Sequence, residues 1–407
     1  MDGTLLVILT GRDRPGVTAS LFDSLRHYPV EVLDLEQLVV RGRLVLAALL
    51  GLNASLVSDV RAAVHSCAAR LGMEAETVPG APESMPSAGG RVHVTVLGAP
   101  LRPGAVADLA SEVAARGGNI DRIRRIAAYP VTAVVFEGSG MDVTQMRRVL
   151  SARARELGVD IAVQSAGLTR RGQRLVVMDV DSTLIQDEVI DLLAEAAGSG
   201  DQVARLTEAA MRGDIDFGES LTARVATLAG LPESALVDTS QRIRLTPGAR
   251  TLCRTLKRLG FHVCLVSGGF TQVVSPLAAE LEVDRLLANT LEVVDGRLTG
   301  RVIGDVVDRE GKRAALEQFA AEFGVPLSRT IAIGDGANDL DMLEAAGLGV
   351  AFNAKPAVQA AADTSVTVPY LDSVLFLLGV TRDEVEAADA AEGVAADSAG
   401  DAHATSP

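Results

Sequence analysis

Apolar positions along the chain follow two different patterns. Over residues 1 to about 167, short extended stretches alternate with helical ones, and the order repeats at an offset of about 88 residues. Leu9-Thr10-Gly11-Arg12-Asp13-Arg14-Pro15-Gly16-Val17 aligns with Leu97-Gly98-Ala99-Pro100-Leu101-Arg102-Pro103-Gly104-Ala105. Each copy reads as strand, Arg-Pro-Gly turn, helix, an extended stretch (30–40 and 119–128), then another strand and helix. That is a βαββαβ pattern about eighty residues long. From about 174 onward, residues 176–178, 263–266 and 330–333 are apolar runs without polar alternation, as expected of parallel strands covered on both faces. Residues 186–247 carry helical runs, and Asp295-Gly296 between two extended stretches predicts a hairpin.

Composition sets the boundaries. Residues 80–90 are rich in Pro, Gly and Ser, and 167–173 form a shorter polar join. The expected domains are therefore 1–80, 91–167 and 174–380, the last with an insertion at about 186–247. Beyond Arg382 the chain is mostly Ala, Asp, Glu and Gly, so 383–407 is expected to be a disordered acidic tail.

Candidate chemistry lies where the apolar runs stop. Asp179 ends the first run and Asp181 follows two residues later. In a doubly wound α/β fold, ligands gather outside the carboxyl ends of parallel strands, so both acids would face one substrate. Two adjacent carboxylates repel unless a positive charge lies between them, and a hard divalent cation such as Mg2+ suits oxygen donors. The second run ends in Ser267-Gly268-Gly269, where a hydroxyl and unhindered backbone can approach an anion. The third ends in Gly334-Asp335-Gly336-Ala337-Asn338-Asp339, and Lys312 opens a helical pattern between them. GDGAND is not a dinucleotide fingerprint, because its sixth position is Asp339 and no acidic ribose reader follows on a βαβ unit.

DVDST at 179–183, SGG at 267–269, Lys312 and GDGANDLDM at 334–342 together closely resemble the aspartate-nucleophile phosphatases of the haloacid dehalogenase superfamily, and within it the phosphoserine phosphatases. The resemblance covers about residues 174–380. It implies Asp179 as nucleophile and Asp181 as proton donor and acceptor. It also implies Mg2+ held by Asp179, the Asp181 backbone carbonyl and Asp335, with Lys312, Ser267 and the Gly268 amide on the phosphoryl group. Asn338 and Asp339 would support them, Asp339 by fixing Lys312. Four residues of the insertion match the family in type and order: Glu188, Met211, Phe217 and Arg224. Glu188 and Arg224 would read an ammonium and a carboxylate, while Met211 and Phe217 would wall a dry pocket.

The repeated N-terminal pattern resembles a pair of ACT domains, modules that commonly bind amino acids between copies. Gly16 and Gly104 would let a ligand such as L-serine approach backbone amides at a helix start. The fold class expected is thus α/β, a haloacid dehalogenase-like Rossmannoid core with a small helical cap, preceded by two α+β ferredoxin-like ACT domains. The resemblance also implies a homo-oligomer, with a dimer favoured.

Charge and cysteine use narrow the alternatives. The formal charge is −15, but seven acids and no Lys or Arg fall in 383–407, leaving −8 on the rest. No basic stripe suggests nucleic acid. Three cysteines form no disulfide framework, five His make a zinc site improbable, and the longest apolar run, 44–50, is too short to span a bilayer. A cytoplasmic, Mg2+-dependent enzyme acting on phosphoserine is expected, the last step of serine biosynthesis. Alternatives are an aspartate-nucleophile phosphatase for another small phosphomonoester or a phosphoprotein, or an amino-acid-sensing regulatory protein.

Overall fold

Strict alternation dominates the first strand, β1 (Gly3–Arg12), which buries Leu5, Val7 and Leu9 and leaves their neighbours partly exposed. The computed structural model describes residues 2–81, 90–167, 172, 174–212, 215 and 217–394; of 211, 212 and 217 it describes the backbone alone. The chain divides into two compact units, residues 1–87 and 88–407.

In the first unit β1 pairs antiparallel with β3 (Arg43–Leu52) and β4 (Glu74–Gly80), and β2 (Glu31–Val40) lies at the far edge, giving the order β2-β3-β1-β4. The helices Val17–Leu25 and Val57–Leu71 contribute Leu21, Val60 and Val64 to the core against Leu5 and Leu50. Gly72 ends the second helix at φ 60°, a left-handed conformation that glycine adopts without Cβ strain.

The second unit begins with the same arrangement. Strands β5 (Val92–Gly98), β6 (Asn119–Ala127), β7 (Thr132–Ser139) and β8 (Asp160–Ser165) take the order β6-β7-β5-β8, with helices Pro103–Ala114 and Val143–Leu157. Asp142 caps the latter by accepting from the Gln145 amide at 2.7 Å. The repeat predicted from the sequence is thus a repeat of sheet order as well.

The rest of this unit is built on a seven-stranded sheet, β12-β11-β10-β9-β13-β14-β15. Its strands are β9 (Leu175–Asp179), β10 (His262–Phe270), β11 (Arg285–Val294), β12 (Arg297–Ile303), β13 (Thr330–Gly334), β14 (Leu348–Phe352) and β15 (Thr364–Val366). All neighbours are parallel except β11 and β12, which form the predicted hairpin with Asp295 and Gly296 at φ 51° and 71°. Period-2 alternation sorts the central strand between two layers. Val176 and Met178 pack with Val263, Leu265, Ile331 and Ile333, whereas Leu175 and Val177 pack with Cys264, Val266 and Ala332.

Between β9 and β10 four helices form the cap: Val189–Ala197, Gly200–Arg212, Phe217–Ala226 and Ser234–Arg242. The two connections to the sheet meet at an antiparallel bridge between Ile185 and Leu245, reinforced by the Gln186 amide donating to the Arg244 carbonyl at 2.9 Å. A second attachment lies at β12, where Pro232 bridges Arg297 and the Gly230 amide donates to the Leu298 carbonyl at 2.8 Å.

One expectation fails at the C-terminus. Residues 383–392, part of the tail expected over 383–407 from composition, belong to the helix Arg382–Glu392. Thr381 and Glu384 make a reciprocal capping box, Val385 is buried, and Asp389 pairs with Arg254 at 2.8 Å and Arg258 at 2.6 Å. The partners that order this segment come from the helix Ala249–Arg258, which local composition does not reveal. Residues 395–407 lie outside the described residues, as do most of the two expected linkers. Replacing Asp389 with Ala should lower the urea midpoint of the catalytic unit by the equivalent of about 1 kcal/mol, since two partly buried pairs are lost together. A midpoint equal to wild type would show that the helix adds nothing.

Candidate active site

The central strand and its two neighbours bring the sequence motifs to one edge. β9 lies between β10 and β13, the point where the chain leaves in opposite directions, and such a switch point opens a crevice at the carboxyl ends. Asp179 ends β9, Ser267 lies on β10 opposite Ala288, and Asp335 follows β13. After Asp179 the chain turns sharply. Ser182 takes φ 55°, which reverses the backbone and lets its hydroxyl donate to Glu188 at 2.6 Å.

Lys312 reaches this edge from the helix Arg309–Glu322, capped by Asp308 accepting from the Gly311 amide at 2.8 Å. Its ammonium is wholly buried and lies 2.7 Å from both Asp179 and Asp339. Burial alone would depress this amine, but the two carboxylates outweigh it and hold Lys312 above its ordinary value. Asp339 is engaged at both oxygens, because the Gly336 amide also donates to it at 2.9 Å. A Cβ at Gly334 would collide with the Asp339 carboxylate, which explains a glycine there.

Asp181 is held separately. Its Oδ1 accepts from the Val189 amide at 2.7 Å and its Oδ2 from the Ser267 hydroxyl at 3.0 Å. The Ser267 oxygen in turn accepts from the Gly269 amide at 2.8 Å. Burial pushes the Asp181 carboxyl up. Asp179 is raised well above the carboxylate range, first by burial and then by Asp339, despite its ion pair with Lys312. Burial and Asp339 also push Asp335 up to about 6. The buried lysine does not balance the carboxylates around it.

That surplus, in a set of hard oxygen donors, suits a divalent cation. Asp179, Asp335 and Asp339 can each offer an oxygen within 4.8 Å of the others. Asp179 and Asp339 each carry a donor on both oxygens, whereas Asp335 accepts only from the Thr183 hydroxyl at 3.2 Å and is the freest of the three. The Asp181 carboxylate is turned toward Val189 and Ser267, so only its backbone carbonyl is left for the role expected of it.

A cavity of about 350 Å³ opens from these acids into the cap. Glu188, Arg224, Gly268 and Asn338 are among the residues that line it. Although Glu188 keeps contact with solvent, the surrounding protein and then Asp181 push its carboxyl up to about 7. Desolvation lowers Arg224, with Glu188 and Asp191 opposing. The side chains of Met211 and Phe217 lie outside the described residues; Ile190 and Leu221 are apolar walls that sequence reasoning missed. Thr207, Ser220 and Lys355 also line the cavity without having been singled out. Asn289 was missed too. Buried behind the SGG turn, it donates to the Gly268 carbonyl at 2.8 Å and accepts from the Val307 amide at 2.8 Å. No motif spacing marks it, since its partners lie 21 and 18 residues away.

In the first unit Gly16 precedes a helix at φ 90° with open space where a Cβ would point, beside a hollow that Asp13, Thr18 and Gln37 also line. Gly104 differs. It sits inside the first turn of Pro103–Ala114 without positive φ, so left-handed geometry is not its reason.

Residues 176–344 match the profile of the haloacid dehalogenase-like hydrolases, and 3–78 and 92–164 each match an ACT domain profile. A phosphoserine phosphatase of Streptomyces coelicolor is 60% identical over 387 residues, 95% of this chain and 94% of its own. The chain belongs to the phosphoserine phosphatase family. Phosphoserine phosphatase SerB2 of Mycobacterium tuberculosis is 51% identical, covering 96% of each chain. Among solved structures, a "probable phosphoserine phosphatase" of Vibrio cholerae in unliganded form is 35% identical with a TM-score of 0.57, covering 72% of this chain and 88% of its own. A haloacid dehalogenase family hydrolase of Salmonella enterica is 27% identical with a TM-score of 0.62, covering 70% and 98%. The family and the α/β fold with two ACT domains are those implied by the sequence motifs. Among the described residues no helix is long and apolar enough to cross a membrane.

Lys312 gives a direct test of how this site is held. Lys312→Met leaves Asp179 and Asp339 without their shared cation, and breaking a buried pair in this way costs about 3–5 kcal/mol. In chelator, the loss of stability should be greatest near neutral pH and shrink toward acid, where the stranded carboxylates take up protons. A loss independent of pH would mean that Lys312 contributes packing rather than charge.

Proposed function

We propose that this family member hydrolyses O-phospho-L-serine to L-serine and phosphate through an aspartyl-phosphate, with Mg2+, as the cytoplasmic last step of serine biosynthesis. The observation that carries this reading is one small cavity lined by two chemically distinct sets of groups. Asp179, Asp181 and Lys312 form one set; the opposite charges of Glu188 and Arg224 form the other. A phosphate ester of a free amino acid needs both.

Asp179 attacks phosphorus as the bond to the serine oxygen breaks. Lys312 and the Val180 amide, at 2.7 Å each, hold its two oxygens and prevent rotation out of line. Asp181 gives its proton to the departing serine oxygen, and its raised proton affinity suits it to do so. It then takes a proton from the water that attacks the aspartyl-phosphate, releasing phosphate and restoring Asp179. Ser267, Gly268 and Asn338 receive phosphoryl oxygens, and Asp339 keeps Lys312 in place. Mg2+ at Asp179, Asp335 and the Asp181 carbonyl would neutralise phosphoryl charge and align the displacement. The cap excludes water, with Met211 and Phe217 as pocket walls.

The ACT domains are read as amino-acid-responsive modules, L-serine being the ligand of choice, in a homo-oligomer of which a dimer is favoured. The hollow beside Gly16 supports the first module as a ligand site. Gly104 is the corresponding position of the second.

Two experiments test the enzymatic reading. Rapid-quench labelling with phosphate-labelled substrate should give an acid-stable, alkali-labile phosphoenzyme in wild type and in Asp181→Asn, with turnover slowed about 10²–10⁴-fold in the variant. Asp179→Asn should give none; label retained there would place the nucleophile elsewhere. The second concerns Glu188, whose carboxyl must be ionised to receive an ammonium. As pH rises through about 7, KM for phosphoserine should fall relative to KM for an aryl phosphate, since substrate phosphate ionisation affects both alike. Parallel profiles for the two substrates would remove Glu188 from recognition.

A further inference from the structure

The cap holds two buried hydroxyls without a hydrogen-bond partner among the described residues. Ser220 is fully buried, and its Oγ has no hydrogen-bond partner among the described residues; the same is true of the Thr207 Oγ1 atom. Both residues line the cavity shared with Glu188 and Arg224. A buried hydroxyl without a partner loses its water and gains nothing in return. Such a group persists where a ligand completes it. Two of them line one cavity together with Glu188 and Arg224.

Their placement says which part of a ligand they meet. Ser220 lies one helical turn before Arg224 on Phe217–Ala226, so both project from the same face, and the Arg224 Nε donates to the Ser220 carbonyl at 3.3 Å. Thr207 comes from Gly200–Arg212, which packs against that helix. Glu188, the anion that would take the ammonium, already accepts from Ser182. Arg224 has no carboxylate within ion-pair distance among the described residues, though Glu188, Asp191 and Asp181 act on it from further off. The cationic guanidinium and two nearby hydroxyl donors together make a place for an anion with several acceptor lone pairs.

We infer that Ser220 and Thr207 are specificity-determining residues that donate to the α-carboxylate of the substrate beside the Arg224 fork. This rests on the reading of the enzyme as acting on phosphoserine. A carboxylate has room for four donors, so two hydroxyls and a guanidinium can bind it without competing. Because Ser220 is sealed from solvent, the subsite ends there.

The test compares O-phosphoserine with O-phosphoethanolamine, which keeps the phosphate and the ammonium and lacks the carboxylate. In the full-length enzyme, Ser220→Ala and Thr207→Val should each lower the ratio of kcat/KM for phosphoserine over phosphoethanolamine by about ten- to a hundredfold, the range for a hydrogen bond to a charged group, chiefly through KM. Thr207→Ser should keep the ratio near wild type. Melting temperature in the absence of substrate should not fall in Ser220→Ala, because the lost hydroxyl had no partner. An unchanged ratio in both variants, or equal losses on both substrates together with a lower melting temperature, would overturn the assignment while leaving the proposed activity standing. A wild-type enzyme that shows no preference for phosphoserine over phosphoethanolamine would instead overturn the proposed substrate and this subsite with it.

Discussion

The buried ammonium of Lys312 is the constraint around which the catalytic unit is arranged. A lysine without solvent contact is tolerable only with anions at hydrogen-bond distance, and Asp179 and Asp339 supply them at 2.7 Å. Asp179 ends β9 and Asp339 closes the helical turn Ala337–Asp339 that follows β13, so one charge ties both segments to the Arg309–Glu322 helix. The surrounding details follow from this demand. Gly334 leaves space for the Asp339 carboxylate, Asp308 sets the start of the lysine's helix, and Asn289 ties the strand beside Ser267 to the Val307 amide. Within that frame the acids remain in excess of the cation. The unliganded site is held away from electrostatic balance, which is the condition a hard cation and a phosphate can jointly relieve.

The division of labour between sheet and cap has the same physical basis. Phosphoryl chemistry needs groups fixed to fractions of an ångström, and the strand ends are anchored by apolar layers on both faces. Substrate recognition needs access, and the cap meets the sheet at β12 and at the Ile185 to Leu245 bridge. Glu188 follows that bridge, linked through Ser182 to the turn after Asp179. Glu188 is therefore coupled to that turn, whereas Arg224, Ser220 and Thr207 lie on the cap helices.

What could be read from the sequence was what is encoded locally. The apolar runs ending in Asp179, Ser267 and Asp335 marked strands because burial on both faces removes alternation, and Asp295-Gly296 marked a hairpin because few other pairs accept positive φ twice. The four motifs announced a phosphate site before any geometry was known. Asn289, Ser220 and Thr207 stayed hidden because their significance lies in what does or does not stand opposite them in space. The helix Arg382–Glu392 was misread for a related reason. Its own composition has little to bury, and the arginines that hold Asp389 lie more than 130 residues upstream.

The second ACT domain shares more than a linker with the catalytic sheet. Its edge strand β8 runs beside the sheet's edge strand β15, where Thr364 donates to the Ile161 carbonyl at 3.1 Å and the Thr367 amide donates to Asp160 at 2.8 Å. Gln164 donates to the Leu377 carbonyl at 3.0 Å, and Arg147 pairs with Asp363 at 2.5 Å. Leu97, Val131 and Ala133 belong to the same buried cluster as Val176 and Met178 of the central strand. A packed contact of this kind makes the two domains one mechanical body, but rigidity alone transmits nothing. A ligand on the ACT side alters the active site only if it binds two packings of this interface with different affinity. The buried Asp160, desolvated and bonded to Thr367, limits what those packings can be: any arrangement that draws it away from Thr367 must give its carboxylate another donor or a proton. The Asp160 contacts, with those of Thr364, Gln164 and Arg147, therefore favour small shifts over a wholesale separation of the domains.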